Sequence, residues 1–114
     1  MNASELHALV EPIREVMIEE QTWPQRGDGL LYYSSDGEWK WCQDFGGPVY
    51  CHHDDAANAI TVALLRASLD AREPLCASKG FGIPEQFYYC GDGDGPTPLH
   101  ALVAWYTHKK GLAQ

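Results

Sequence analysis

The sequence is short of cations, lacks any long apolar run and contains no paired-cysteine motif. Eight Lys and Arg stand against sixteen Asp and Glu, giving a formal net charge of −8. The average surface therefore repels nucleic-acid phosphates and anionic lipid, and direct nucleic-acid binding is disfavoured. No stretch approaches the roughly 18 apolar residues of a membrane span, and Met1 to Val10 has neither a basic start nor a long apolar core. The expectation is a soluble, cytoplasmic protein without a membrane partner. The four cysteines, Cys42, Cys51, Cys76 and Cys90, include no Cys-x-x-Cys pair. Each lies in or beside an apolar stretch, where a reduced thiol packs as a small hydrophobe. Neither a metal nor a cofactor is expected. Gly-x-Ser-x-Gly, His-Glu-x-x-His and dinucleotide fingerprints are all missing, so no catalytic residue is assigned.

What is present suits a folded domain. Of 114 residues 45% are hydrophobic, and four Trp, six Tyr and three Phe supply large burial areas that offset the entropy lost on folding. A chain of this length is expected to form one domain, 1–114. Leu6, Leu9, Val10, Ile13, Val16 and Met17 follow helical spacing after a Ser4 cap. Pro12 is expected to kink that helix or to open a shorter one near Glu11, since it lacks an N–H and clashes one turn back. After a turn-rich loop at 25–29, Leu30 to Tyr33 and Glu38 to Cys42 flank Asp36-Gly37, which predicts a β-hairpin. The alternation at Glu38 to Trp41 suggests an edge strand, with Trp39 and Trp41 inward and Glu38 and Lys40 in water. Val49 to Cys51 forms a third strand.

A helix capped by Asp54 or Asp55 and running to about Asp70 buries Ile60, Ala63, Leu64 and Ala67. Pro74 stops it, and the chain to Pro84 reads as irregular. Gln86 to Cys90 gives a fourth strand, Gly91 to Gly95 a turn, and Thr97-Pro98 caps a last helix ending at Lys109-Lys110-Gly111. Consecutive apolar residues in the strands argue for burial of both sheet faces. The expected fold is α+β: a single three-layer α-β-α sandwich with a mostly antiparallel sheet of about four strands and helices on both faces.

The closing segment, Gly95-Pro96-Thr97-Pro98-Leu99 through an Ala-rich helix with Trp105 and Tyr106 to Lys110-Gly111, resembles the end of NinX-like small phage proteins. It is also similar to phage α-β-α sandwich domains, and Asp54-Asp55-Ala56-Ala57 opening a helix is a weaker echo. The resemblance covers about a third of the chain. It implies phage origin and a host-cell cytosol location, and it implies no particular activity.

Three clusters invite a chemical reading. Gly91-Asp92-Gly93-Asp94-Gly95 precedes a helix like a phosphate loop, but Asp92 and Asp94 oppose an anion and no Lys-Ser/Thr follows; a weak cation or polar-contact role is what remains for them. Cys51-His52-His53-Asp54-Asp55 concentrates nucleophile, base and carboxylate, yet strand neighbours alternate faces and are not expected to converge. Glu11, Glu15 and Glu19 recur every fourth residue with Glu20 beside them. Like charges at that spacing repel, each pair costing an isolated helix roughly 0.2 to 0.5 kcal/mol, and Glu19 and Glu20 lie at the helix end that disfavours anions. This acidic stripe is the candidate binding surface for a host or phage protein with a basic surface. The rival reading is a small ligand or nucleotide stacked on Trp39, Trp41 or Tyr88. A metal-assisted enzyme built on His52, His53 and cysteines ranks third.

Overall fold

A computed structural model describes residues 1–27, 29–42, 46–78 and 87–112. Among these the order is α1 (Ala3–Glu19), β1 (Gln25–Arg26), β2 (Gly29–Tyr33), β3 (Trp39–Trp41), β4 (Val49–Cys51), α2 (His53–Asp70), β5 (Leu75–Ser78), β6 (Phe87–Cys90), β7 (Gly93–Gly95) and α3 (Pro98–Lys109). The fold is α+β with two antiparallel sheets, β1-β2-β3-β4 and β5-β6-β7. The chain forms two compact units, Met1–Ile60 and Thr61–Gln114. The part of the expected irregular segment from Lys79 to Pro84, and Gln86 of the expected fourth strand, lie outside the described residues.

In the first unit, α1 starts two residues earlier than the Ser4 cap predicts. Asn2 accepts the Glu5 backbone N–H at 2.8 Å while Glu5 reaches back to the Asn2 N–H, a reciprocal cap that satisfies two otherwise orphaned donors. Pro12 neither ends nor restarts the helix. Both Pro12 and Ala8, whose carbonyl loses its N–H partner, are exposed, so water satisfies that oxygen. The buried stripe is Leu6, Val10, Ile13 and Met17. Trp39 is fully buried and donates its indole N–H to the Ala3 carbonyl at 3.1 Å, and Trp23 donates to Leu31 at 2.7 Å. These bonds pin α1 and its exit to the sheet, because a buried indole N–H left unpaired would be costly.

The predicted hairpin forms with Leu31 opposite Trp41 and Tyr33 opposite Trp39. Its turn is closed by Ser34 N–H to Glu38 O at 2.8 Å, and Gly37 takes a φ of 85° that other residues resist. The edge-strand expectation for Glu38–Trp41 is corrected. β3 lies between β2 and β4, and its polar alternation reflects one open sheet face rather than an edge. On that face Tyr50 is 56% exposed, Leu30 is exposed, and Tyr32 and Lys40 are half-buried. Two-sided burial was inferred from consecutive apolar residues, but tyrosines tolerate a wet tip and single exposed leucines cost little.

In the second unit, Phe87–Cys90 joins β5 and β7 rather than the first sheet. Neither partner strand was foreseen, and the expected turn at Gly91–Gly95 shrinks to Gly91-Asp92. The reason is close packing. A Cβ on Gly93 would sit 2.2 Å from the Trp105 backbone nitrogen, and one on Gly95 2.6 Å from His100 Cβ. The glycines let β7 touch α3 while Asp94, pointing the other way, stays exposed. Phe87 and Tyr89 are likewise exposed on the outer face of this sheet. α3 has the predicted Thr97 cap with Pro98 at its first position, and it buries Ala101 and Trp105 in addition to Leu99, Leu102, Val103 and Tyr106.

All three helices end in the same motif. Thr22 and Gln21 N–H groups bond Met17 and Ile18 carbonyls, Glu73 and Arg72 bond Ser68 and Leu69, and Leu112 and Gly111 bond Thr107 and His108. The left-handed residue is Gly111 in α3 but Gln21 (φ 59°) and Arg72 (φ 60°) in the others.

Candidate functional site

The acidic stripe is a consequence of how α1 is buried. With Leu6, Val10, Ile13 and Met17 inward, Glu11, Glu15 and Glu19 fall on the outer face and all three are exposed, as is Glu20 at the C-cap. Glu11 is the tempered member: its Oε2 lies 3.6 Å from His7 Nδ1 and 3.7 Å from Arg14 Nε. His7 is itself stacked on Tyr33 with ring centroids 4.3 Å apart. No ion pair reaches Glu15 or Glu19 among the described residues. The last turn of α1 carries no basic residue, and Glu19 lies there against the negative pole of the helix.

Beside this face lies an apolar groove of about 340 Å³ lined by Arg14, Ile18, Leu30, Leu31, Tyr32 and Cys42. Arg14 and Ile18 stand three residues after Glu11 and Glu15, so they form the flank of the same helix surface. The groove was not foreseen. Its signal was the run Leu30 to Tyr33, whose outward residues were assigned to a second buried face. Cys42 at its wall is exposed.

Asp92 lies in the turn before β7, and Asp94 is the exposed middle residue of that strand. Asp92 meets His108, with Nε2 to Oδ2 of 3.1 Å, in a polar cleft of about 280 Å³ that also takes in Glu73, Trp105 and Lys109. Trp105 donates its indole N–H to Glu73 Oε2 at 2.8 Å and Lys109 Nζ is 3.2 Å from the same oxygen. Those two donors hold the Glu73 carboxyl below its ordinary value. Each acid in the cleft thus already has a side-chain partner.

His52, His53 and Asp54 converge where alternation of strand faces argued that they would not. β4 ends at Cys51, His52 is the first residue off the strand, and His53 and Asp54 open α2. The helix cap is therefore His52 rather than Asp54 or Asp55: its carbonyl accepts from Ala56 at 2.9 Å and its Nδ1 from the Asp54 N–H at 3.2 Å. The cysteines stand apart from this chemistry. All four are free thiols, and burial raises the Cys51 and Cys90 thiols above their ordinary value, which keeps them protonated and unreactive. Of the proposed stacking aromatics, Trp39 is core and offers no face to a ligand.

No family model, curated protein or solved structure matches this chain. No helix among the described residues is long and apolar enough to cross a membrane.

Proposed function

We propose that the chain is a non-enzymatic accessory protein of phage type that binds a basic protein through the outer face of α1. The observation that carries this reading is the adjacency of the exposed Glu11, Glu15 and Glu19 to the apolar groove at Arg14, Ile18, Leu30 and Tyr32. Protein interfaces combine an apolar centre with a polar rim, and this surface offers both at once. The carboxylates raise the energy of their own helix, and an external cation relieves that cost, so binding and stability are traded against each other. A partner that handles nucleic acid fits, because its phosphate-binding cations would accept carboxylates instead. An oligo-lysine peptide ending in a leucine tests the reading by NMR titration. Amide shifts should concentrate in α1 and around Leu30 to Cys42, weaken steeply with salt, and disappear in the Glu11→Gln, Glu15→Gln, Glu19→Gln triple variant. Shifts confined to the second unit would refute it.

The small-ligand reading keeps one specific support, the cleft beside Trp105. With Glu73 and Asp92 already in contact with Lys109 and His108, a ligand there must break existing surface contacts to gain its own.

A further inference from the structure

We propose that His52, His53 and Asp54 form a binding site for a divalent transition-metal ion such as Zn2+. One donor atom from each of the three residues lies within 4.8 Å of the others. The nitrogens nearest the carboxylate are His52 Nδ1, 3.7 Å from Oδ2, and His53 Nε2, 3.6 Å from Oδ1. The two imidazoles stack with centroids 4.2 Å apart, which holds them on the same side of the chain. Donors bound to one tetrahedral zinc at about 2.0 to 2.2 Å stand roughly 3.4 Å apart, so small side-chain rotations close the set. His52 is 49% exposed and Asp54 77%, leaving the side chains free to turn and the remaining coordination positions open to water.

Two imidazoles and one carboxylate select zinc and its neighbours over magnesium or calcium, which take all-oxygen sets. Two effects oppose the ion and neither prevails. The N-terminus of α2 carries about half a positive charge, but Asp54 and Asp55 in its first turn supply two full negative ones. Coordination through His52 Nδ1 also displaces the Asp54 N–H from its cap. That residue is exposed, so water takes over the donor at little cost. The bound ion would then fasten the end of β4 to the start of α2, adding to folded-state stability by mass action.

The test is a ZnCl2 titration of the full chain under a non-thiol reductant, followed by calorimetry and by NMR of the imidazoles and the Asp54 amide. The expected result is saturable binding of one ion per chain, shifts at His52, His53 and Asp54, and a rise in melting temperature. His53→Ala and Asp54→Asn, neither of which removes the His52 cap, should each weaken binding at least about tenfold, the lower end of what even an outer-shell partner contributes. His108→Ala should change nothing. Binding that survives His53→Ala, shifts centred on the cysteines, or no saturable binding at millimolar zinc would overturn the proposal.

Discussion

Replacing Gly93 by alanine should destabilise the protein more than any conservative change at an exposed position. The new Cβ would lie 2.2 Å from the Trp105 nitrogen and 2.7 Å from the Ala101 oxygen and Trp105 Cα, against 3.4 Å or more for ordinary contact. All three are main-chain atoms of α3, so no side chain can swing aside. β7 and α3 must part by about an ångström along their packed length, loosening Ala101 and Trp105, which are buried there. Overpacking of this kind costs about 1 to 3 kcal/mol, and the rigidity of both backbones puts it near 3 kcal/mol. With about 4 °C per kcal/mol for a domain of this size, the melting temperature should fall by about 10 °C. Gly95→Ala meets His100 Cβ at 2.6 Å, an atom held by the helix backbone but less closely approached than the Trp105 nitrogen, and should cost somewhat less, about 1 to 2 kcal/mol. Asp94→Ala, exposed between them, should stay within about 0.5 kcal/mol of wild type. Urea and thermal unfolding followed by circular dichroism measure all three. Equal stability of the Gly93→Ala variant and wild type would show that the strand and helix do not meet as described.

Gln21→Gly and Arg72→Gly should each raise stability by about 0.5 kcal/mol. They remove a left-handed strain of roughly 1 to 2 kcal/mol at the cost of greater unfolded-state freedom; a loss of stability in both would refute the helix-end geometry. Asp36 is bridged by Lys40 at 2.6 Å and hydrogen-bonded by the Ser34 hydroxyl, which lower its carboxyl from 3.8 to about 2. Because the folded value is the lower one, ionised Asp36 favours the hairpin above the ordinary carboxylate range, and that contribution fades as pH falls through about 2. A carboxyl NMR titration with its midpoint near 4 would contradict the bridge.

Legibility followed period and punctuation. The hairpin was readable because Asp36-Gly37 sits between two apolar runs, and α3 because Thr97-Pro98 marks its start in only one way. Both arise from local backbone chemistry. The second sheet was not readable, because β7 is Gly-Asp-Gly: what makes it a strand is the proximity of α3, a tertiary effect that composition disguises as a turn. β5, following Pro74, has the same character, since Leu75-Cys76-Ala77-Ser78 lacks β-branched residues and gains its strand form from pairing with β6. The acidic stripe was legible from the spacing of Glu11, Glu15 and Glu19, while the groove beside it depends on which side of β2 is covered. The His52-His53-Asp54 cluster was missed because strand alternation was applied past Cys51, where β4 ends as expected, while α2 already begins at His53.

The most direct measurement of the central claim is the stability and peptide affinity of the Glu11→Gln, Glu15→Gln, Glu19→Gln variant, taken side by side at low and moderate salt. Removing two repulsive pairs and one anion from the helix end favours folding, while losing the contacts of Glu11 with His7 and Arg14 opposes it weakly. Net stability should therefore rise by up to about 1 kcal/mol. Affinity for the basic peptide should fall, and its salt dependence should flatten, because the charges that drew the peptide are gone. A variant that keeps wild-type affinity and salt dependence would contradict the account, and so would one that unfolds.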